Sequence, residues 1–329
     1  MAVDRMEIET LDRFSSADKV SGEKAECFQT RKVVSYAMLS DTDQEQAWQQ
    51  LEILAREHDF RERLTQEVIT SLIEHYSEAR AAHRGCRSLM ILASHGADHV
   101  ALRGGIDAVV KAMRSHRSGA SRGCVQVVGC GALCSFAQHK ENVCGPTSEQ
   151  IGAMVDAVVS ALSGSPWWDT TTNSWGCLAL NQFARRFPLT VARHGGTVAV
   201  LSAMRHHLNH ADVQECGARA LLSISGDPAG KLDVARHGGV DTLLASLAAH
   251  LSTPTVLQST LQTIAALARD EALRAMVGAL GGARAVMHAM EHNAEHAGVQ
   301  AHALHALAVL ARSPDTRCAV AAAGVNLNP

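Results

Sequence analysis

No stretch of this 329-residue sequence reaches the roughly 18 consecutive apolar residues that a membrane-crossing helix needs. Met1 to Thr10 carries no apolar segment of the kind that marks a secretory leader. Neither sign of charge dominates: 30 Lys and Arg against 33 Asp and Glu leave a formal net charge of −3. That balance removes the electrostatic case for a nucleic-acid partner or an anionic membrane surface. Enzyme motifs are missing as well. There is no G-x-x-x-x-G-K-[ST], no G-x-G-x-x-G after a strand, no G-x-S-x-G and no H-E-x-x-H, and nothing sets a nucleophile beside a base. The expectation is a chain without a catalytic residue and without a cofactor.

What the sequence does have is a period. Val125-Gln126 opens a run reading V-Q-x-x-G-C-x-A-L-x-x-x-A, through Gly129, Cys130, Ala132, Leu133 and Ala137. Val213-Gln214 and Val299-Gln300 open it again, and weaker copies keep the apolar skeleton. Seven copies fit, starting near residues 43, 81, 125, 172, 213, 256 and 299, at spacings of 38 to 47 residues. A second motif stays in phase with the first: Gly104-Gly105, Gly195-Gly196, Gly238-Gly239 and Gly281-Gly282 each precede an apolar stretch of helical spacing. Two motifs that keep one period establish a repeat.

Each repeat reads as a short apolar helix, a Gly-Gly turn, a second helix, a loop and a longer third helix. Glycine pairs end one helix and turn the chain into the next because Gly takes left-handed backbone angles freely. Ile106, Val109, Val110 and Met113 share one helical face that must be buried. No repeat can hide its stripe alone, so the units are expected to stack. Pro188, Pro228 and Pro314 follow third helices, and Pro166 and Pro254 lie between second and third, where a missing N–H does no harm. The Gly-Gly pairs are helix breaks and not phosphate cradles, since no strand precedes them.

Nine cysteines suggest disulfides at first sight. Cys86, Cys130 and Cys177, however, share one interior repeat position, and each lies a repeat away from the next, too far for a bridge. The pattern predicts a reducing compartment, cytoplasmic with the nucleus left open.

The Gly-Gly junction, the V-Q entry and the A-L-x-x-x-A third helix resemble the armadillo-repeat family over about residues 43 to 325. The resemblance implies an all-α, right-handed α-solenoid of about seven three-helix repeats, its third helices lining a concave groove, with a binding role and no catalysis. On this reading residues 1–40 are a polar, flexible tail, and residues 41–329 form the solenoid with its last repeat incomplete.

If the fourth, seventh, eleventh and fourteenth residues of each copy share the groove side, the stripe contains Arg84, Arg87, Gln138, Trp175, Gln182, Arg185 and Arg219, with Arg186 adjacent. Grooves of nuclear-import adaptors and catenins carry an asparagine ladder at the eleventh residue, and the import adaptors add tryptophan at the seventh. Here neither is present, which argues against a receptor for nuclear-localisation signals. The arginines instead suit an acidic or phosphorylated protein segment; the competing reading is that they are solvated surface charges.

Two further features are candidates. The third copy lacks Gly-Gly, having Cys144-Gly145-Pro146-Thr147-Ser148, and the loop expected from Ser163 to Ser174 carries Trp167 and Trp168, either a partner contact or a cover for helix ends. Histidine is frequent, at 18 residues. His206, His207 and His210, and His288, His292 and His296, have spacings that can bind metal, but His116, His207 and His250 recur at the end of the second helix. A repeated position implies a structural task at the negative end of the helix dipole, so no metal site is expected.

The sequence thus predicts a non-enzymatic protein-interaction scaffold or adaptor that binds along its groove. The alternative is a structural subunit of a larger assembly, held by its ends or convex face and open to end-to-end self-association, or a fragment of a longer multidomain protein. The run Arg317 to Val325, which leaves the last repeat without a polar cap, motivates that alternative.

Overall fold

The computed structural model describes residue 34 and residues 44–118, 122–138, 147–166, 168–314 and 317. The tail of residues 1–40, Val34 apart, the Cys144-Gly145-Pro146 variant junction, Trp167 and the run from 318 to 325 lie outside the described residues. Among those described, all regular structure is helical, in sixteen helices, and no helix is long and apolar enough to cross a membrane. The chain divides into two compact units, residues 1–150 and 151–329.

The first unit holds α1 (Gln44–Ala55), α2 (His58–His75), α3 (Ala79–Leu102), α4 (Gly105–Ser115) and α5 (Arg122–Gln138). α3 is two helices joined at a kink, where Gly96 takes φ −177° and ψ 69°. Its first part is the third helix of one copy and its last turns are the short helix of the next. The third helices α1, α3 and α5 pack in succession, with α2 against α3 and α4 against α5.

The second unit is the more regular. It contains nearly all of α6 (Ser148–Ser163), then α7 (Thr170–Ala184), followed by three helix triplets. These are α8 (Pro188–Arg193), α9 (Gly196–His206) and α10 (Ala211–Ile224); α11 (Pro228–Arg236), α12 (Gly239–Ala249) and α13 (Pro254–Leu267); α14 (Glu271–Ala279), α15 (Gly282–His292) and α16 (Ala297–Leu310). Third helices α7, α10, α13 and α16 pack each on the next, and second helices α9, α12 and α15 do the same.

The two glycines of each pair do different work. Gly195 has φ +78° and nothing near its missing Cβ, so it is chosen for its backbone angle. Gly196 has an ordinary φ, but a Cβ there would stand 2.4 Å from Val191 Cγ1 and 2.8 Å from Val191 O, so it is chosen for closeness. Gly104-Gly105, Gly238-Gly239 and Gly281-Gly282 repeat this division against Val100, Val234 and Val277, with one addition: a Cβ at Gly238 would also stand 2.8 Å from Arg205 Nη2.

Helix starts follow from local chemistry. Pro188, Pro228 and Pro254 sit in the first turn, where no N–H is missed. Asp169, Asp227 and Asp270 cap free N–H groups, with Asp227 Oδ1 accepting from Ala229 N at 2.8 Å. The expected loop through Ser174 is shorter than the sequence suggests, because the Asp169 cap starts α7 at Thr170.

Packing is equally periodic. The ninth residue of every copy, Leu51, Leu89, Leu133, Leu180, Leu221, Ile264 and Leu307, is fully buried. Each such side chain contributes about 1.5–3 kcal/mol relative to exposure. Cys86, Cys130 and Cys177 are buried with them and unbridged, acting as small apolar residues.

The V-Q motif now has a physical meaning. Gln126 Nε2 donates to Met113 O and His116 O, Gln214 Nε2 to Met204 O and His207 O, and Gln300 Nε2 to Met290 O and Asn293 O, all between 2.7 and 3.0 Å. One side-chain amide thus ties down two carbonyls at the end of the preceding helix, where backbone donors run short. A comparable cap closes the third helices: Arg61, Arg274 and Arg317 donate to Ala55 O, Ala268 O and Ala311 O.

Candidate functional site

The stripe expected to face solvent does so only in part. In the first unit Arg84 is buried, at 6% exposure, and Val128 and Gly131 are buried as well. Arg84 is therefore corrected from a groove cation to an interior one. Beside it, His83 is held below the usual imidazole range by burial, then by the positive charges of Arg87 and Arg84. Arg87 lies with its guanidinium 3.7 Å from the centre of the buried Trp48 ring and 3.5 Å from Glu45 Oε2. The cation is engaged within its own unit, across two successive copies. Gln138, exposed at the end of α5, approaches Cys134 Sγ at 3.5 Å.

The second unit carries the stripe to the surface. Trp175 of α7, Arg185 at its C-cap and Arg219 of α10 are exposed, and Gln182 is half-buried. Ser259 and Val309, placed on the stripe by the repeat, are buried. Arg185 and Arg219 line one cavity of about 470 Å³, together with Asn181 of α7, Glu215 and Ser223 of α10 and Gln262 of α13. The cavity exists because third helices meet there through small and polar side chains, which leave a trough between the longer ones.

Three donors converge on it. Arg185 Nη1 reaches Gln182 Oε1 at 3.4 Å, and Arg219 Nη1 reaches Glu215 Oε1 at 3.4 Å, an i,i+4 pair at the surface. Such an exposed pair contributes little and yields easily to a stronger anion. Asn181 is 4% exposed, and its Oδ1 accepts from Ser223 Oγ at 2.7 Å. Its Nδ2 donates to none of the described residues and is not among the buried polar atoms that lack a partner, so it opens to the cavity, where it can donate to an incoming acceptor. With two guanidiniums and one carboxylate the cavity is net positive. Cys216, next to it on α10, has its thiol pushed up to about 11 by burial and the Glu215 carboxylate, so it stays a neutral thiol.

Asn181 escapes the sequence reading because it is the tenth residue of its copy, one short of the family's asparagine position, and nothing local marks it. Of the loop tryptophans, Trp168 is 66% exposed, just before the Asp169 cap; Trp167 lies outside the described residues. Arg186 is exposed beside the Phe187 ring.

Several of the histidines hold structural hydrogen bonds. His116 Nε2 lies 3.0 Å from Tyr76 O and His250 Nε2 lies 2.7 Å from Leu208 O, each bonding one repeat back. His296 caps α16 through Val299 N, and His292 meets Ser252 Oγ. Among the described residues no three His, Cys, Asp or Glu are placed to hold a metal ion.

No family model matches the chain, and no curated protein does. Solved structures do. An engineered protein is similar at 20% identity and a TM-score of 0.62, over 75% of this chain and 96% of that one. An armadillo protein is similar at 15% identity and a TM-score of 0.63, over 90% of this chain. It comes from work on a conserved phosphorylation switch that controls the interaction between cadherin and beta-catenin. This chain spans 60% of the length of that one. At these identities the likeness is one of fold, and the fold is an armadillo-like arrangement of helical repeats.

Proposed function

We propose that this protein is a non-enzymatic interaction scaffold, an armadillo-type right-handed solenoid of about seven repeats. It binds an extended protein segment along the third helices of its second unit. The observation that carries this reading is the convergence of Arg185, Arg219 and the open Asn181 amide on one cavity. That donor set suits a carboxylate or phosphate on the partner, which would displace Glu215 from Arg219. The similar armadillo chain belongs to a system in which phosphorylation controls partner binding, in keeping with such chemistry. Arg84 and Arg87 are left out of the binding set, because one is buried and the other is held by Trp48 and Glu45.

Fluorescence anisotropy with labelled peptides of one sequence, carrying Ser, Glu or phosphoserine at the centre, tests this. The acidic and phosphorylated peptides are expected to bind, more weakly at high salt, and Arg185→Glu with Arg219→Glu is expected to weaken binding at least about tenfold. Equal binding of all three peptides, or no effect of the double reversal, overturns the reading.

A further inference from the structure

The cavity between α7, α10 and α13 is narrow in its chemistry. Of the described side chains that line it, Leu222 alone is apolar and none is aromatic. Glu215 is the one carboxylate among them, set against the guanidiniums of Arg185 and Arg219. Two of its hydroxyls are already engaged: Ser223 Oγ donates to Asn181 Oδ1 at 2.7 Å, and Ser259 Oγ to Thr255 O at 3.0 Å. The first of these bonds fixes the sense of the Asn181 amide. With Oδ1 held by Ser223, Nδ2 is the edge left toward the cavity. Each guanidinium has one N–H engaged, Arg185 Nη1 with Gln182 and Arg219 Nη1 with Glu215, both at 3.4 Å. Their remaining N–H groups donate to none of the described residues.

We propose, resting on the binding role given above, that the side chain this cavity takes is a phosphoserine or phosphothreonine of the partner segment, in preference to glutamate, aspartate or phosphotyrosine. Glu215 sets the preference for phosphate. A carboxylate that comes to Arg219 replaces another carboxylate of the same charge, so the exchange at that guanidinium gains nothing. Only Arg185 and Asn181 are then left to hold it. A phosphate monoester carries a charge of about −1.5 to −2 and three acceptor oxygens at neutral pH. Its oxygens can be shared among Arg185, Arg219 and Asn181, and its larger charge outweighs the Glu215 carboxylate that it pushes aside. The absence of an aromatic wall sets the second preference. A phosphotyrosine ring would lie against amides and hydroxyls with only Leu222 to pack on, whereas phosphoserine brings no such surface to cover. A nucleic-acid phosphodiester carries a single charge per phosphate and falls with the carboxylates.

Fluorescence anisotropy on the full chain tests the preference, with one peptide sequence carrying glutamate, phosphoserine or phosphotyrosine at its centre. Phosphoserine is expected to bind at least about tenfold tighter than either of the others, and a single-stranded oligonucleotide is expected not to displace it. Glu215→Gln is expected to tighten the glutamate peptide several-fold, because Arg219 no longer has a carboxylate of its own to release. Asn181→Asp keeps the bond from Ser223 and turns the donor edge into an acceptor, and is expected to weaken phosphoserine binding at least about tenfold. Glu215→Gln, at a half-buried position, keeps the test decisive should Asn181→Asp lose its helical circular dichroism. A smaller preference for phosphoserine, with all binding lost in the Arg185→Glu and Arg219→Glu double reversal, overturns the phosphoserine assignment and leaves the binding role standing. Displacement by the oligonucleotide, or a glutamate peptide indifferent to Glu215→Gln, overturns it as well. No binding of any of these peptides overturns both.

Discussion

His250 donates its Nε2–H to the carbonyl oxygen of Leu208 at 2.7 Å, joining the end of α12 to the end of α9 one repeat earlier. A carbonyl only accepts, so the proton sits on Nε2. One repeat further on Asn293 takes the place of histidine, and its Nδ2 donates to Leu251 O at 2.8 Å with nearly the same backbone angles. The chain thus carries its own substitution experiment. His250→Asn is expected to stay within about 0.5 kcal/mol of the parent in urea unfolding, whereas His250→Ala, which orphans the Leu208 carbonyl, costs about 1–2 kcal/mol. Equal losses in both variants would show that ring packing, and not the hydrogen bond, is what matters.

His207 adds a pH dependence. Burial, followed by the neighbouring His210 and His206, lowers its proton affinity, against a smaller opposing pull from Asp169. The unfolded chain, with an imidazole near pH 6.5, therefore binds a proton before the folded chain does. Stability from this group is fully present above the unfolded value and is lost as pH falls through the lowered folded value. Melting temperatures recorded from pH 7.5 downward should decline, and His207→Asn should make the decline shallower. An unchanged slope in the variant assigns the acid sensitivity elsewhere, with His83 of the first unit the next group to test.

Gly195 and Gly196 should respond differently to substitution. Gly195→Asn is expected to cost less than Gly195→Ala, because asparagine tolerates the left-handed region, with the alanine penalty about 1–2 kcal/mol. Gly196→Ala and Gly196→Asn should both be severe, about 2 kcal/mol or more, because any Cβ meets Val191 Cγ1 and its carbonyl oxygen. Denaturant midpoints of the four variants check the division of roles.

Thiol labelling separates the cysteines by environment. Cys124 is exposed, whereas Cys86 is fully buried with its thiol pushed up to about 12 by desolvation. In native protein at neutral pH, iodoacetamide followed by peptide mass mapping should modify Cys124 first among the cysteines of the described residues. Cys86, Cys130 and Cys177 should react only once denaturant is added. Labelling of Cys86 at a rate comparable with Cys124 would mean that the first unit opens far more readily than its packing suggests.

Much of this architecture is legible in the residues, because a repeat states each structural need several times over. The left-handed glycines, the prolines in first turns, the interior cysteines and the histidines at second-helix ends all appear as recurrences before any coordinate is known. The V-Q pair is visible in the same way, yet its reason is not, since the carbonyls that Gln214 ties down belong to another helix. The arginines were legible only as a stripe. Whether a stripe position is open depends on what the preceding copy places there, and the contact of Arg87 with Trp48 crosses 39 residues of sequence. Asn181 lies off the stripe altogether and joins the cavity through Ser223, 42 residues away. Periodicity reports what the copies share, and a binding site is built from what they do not.

The glutamine cap has a genetic consequence. Because Gln214 and Gln300 each close the helix just upstream, within the same stretch of chain, a tandem duplication of one period inserts a cassette that brings its own helix stop. Gln126 closes the first unit's α4 by the same device. Such a gene can lengthen by in-frame copying with the stop of the second helix already in place in each added period.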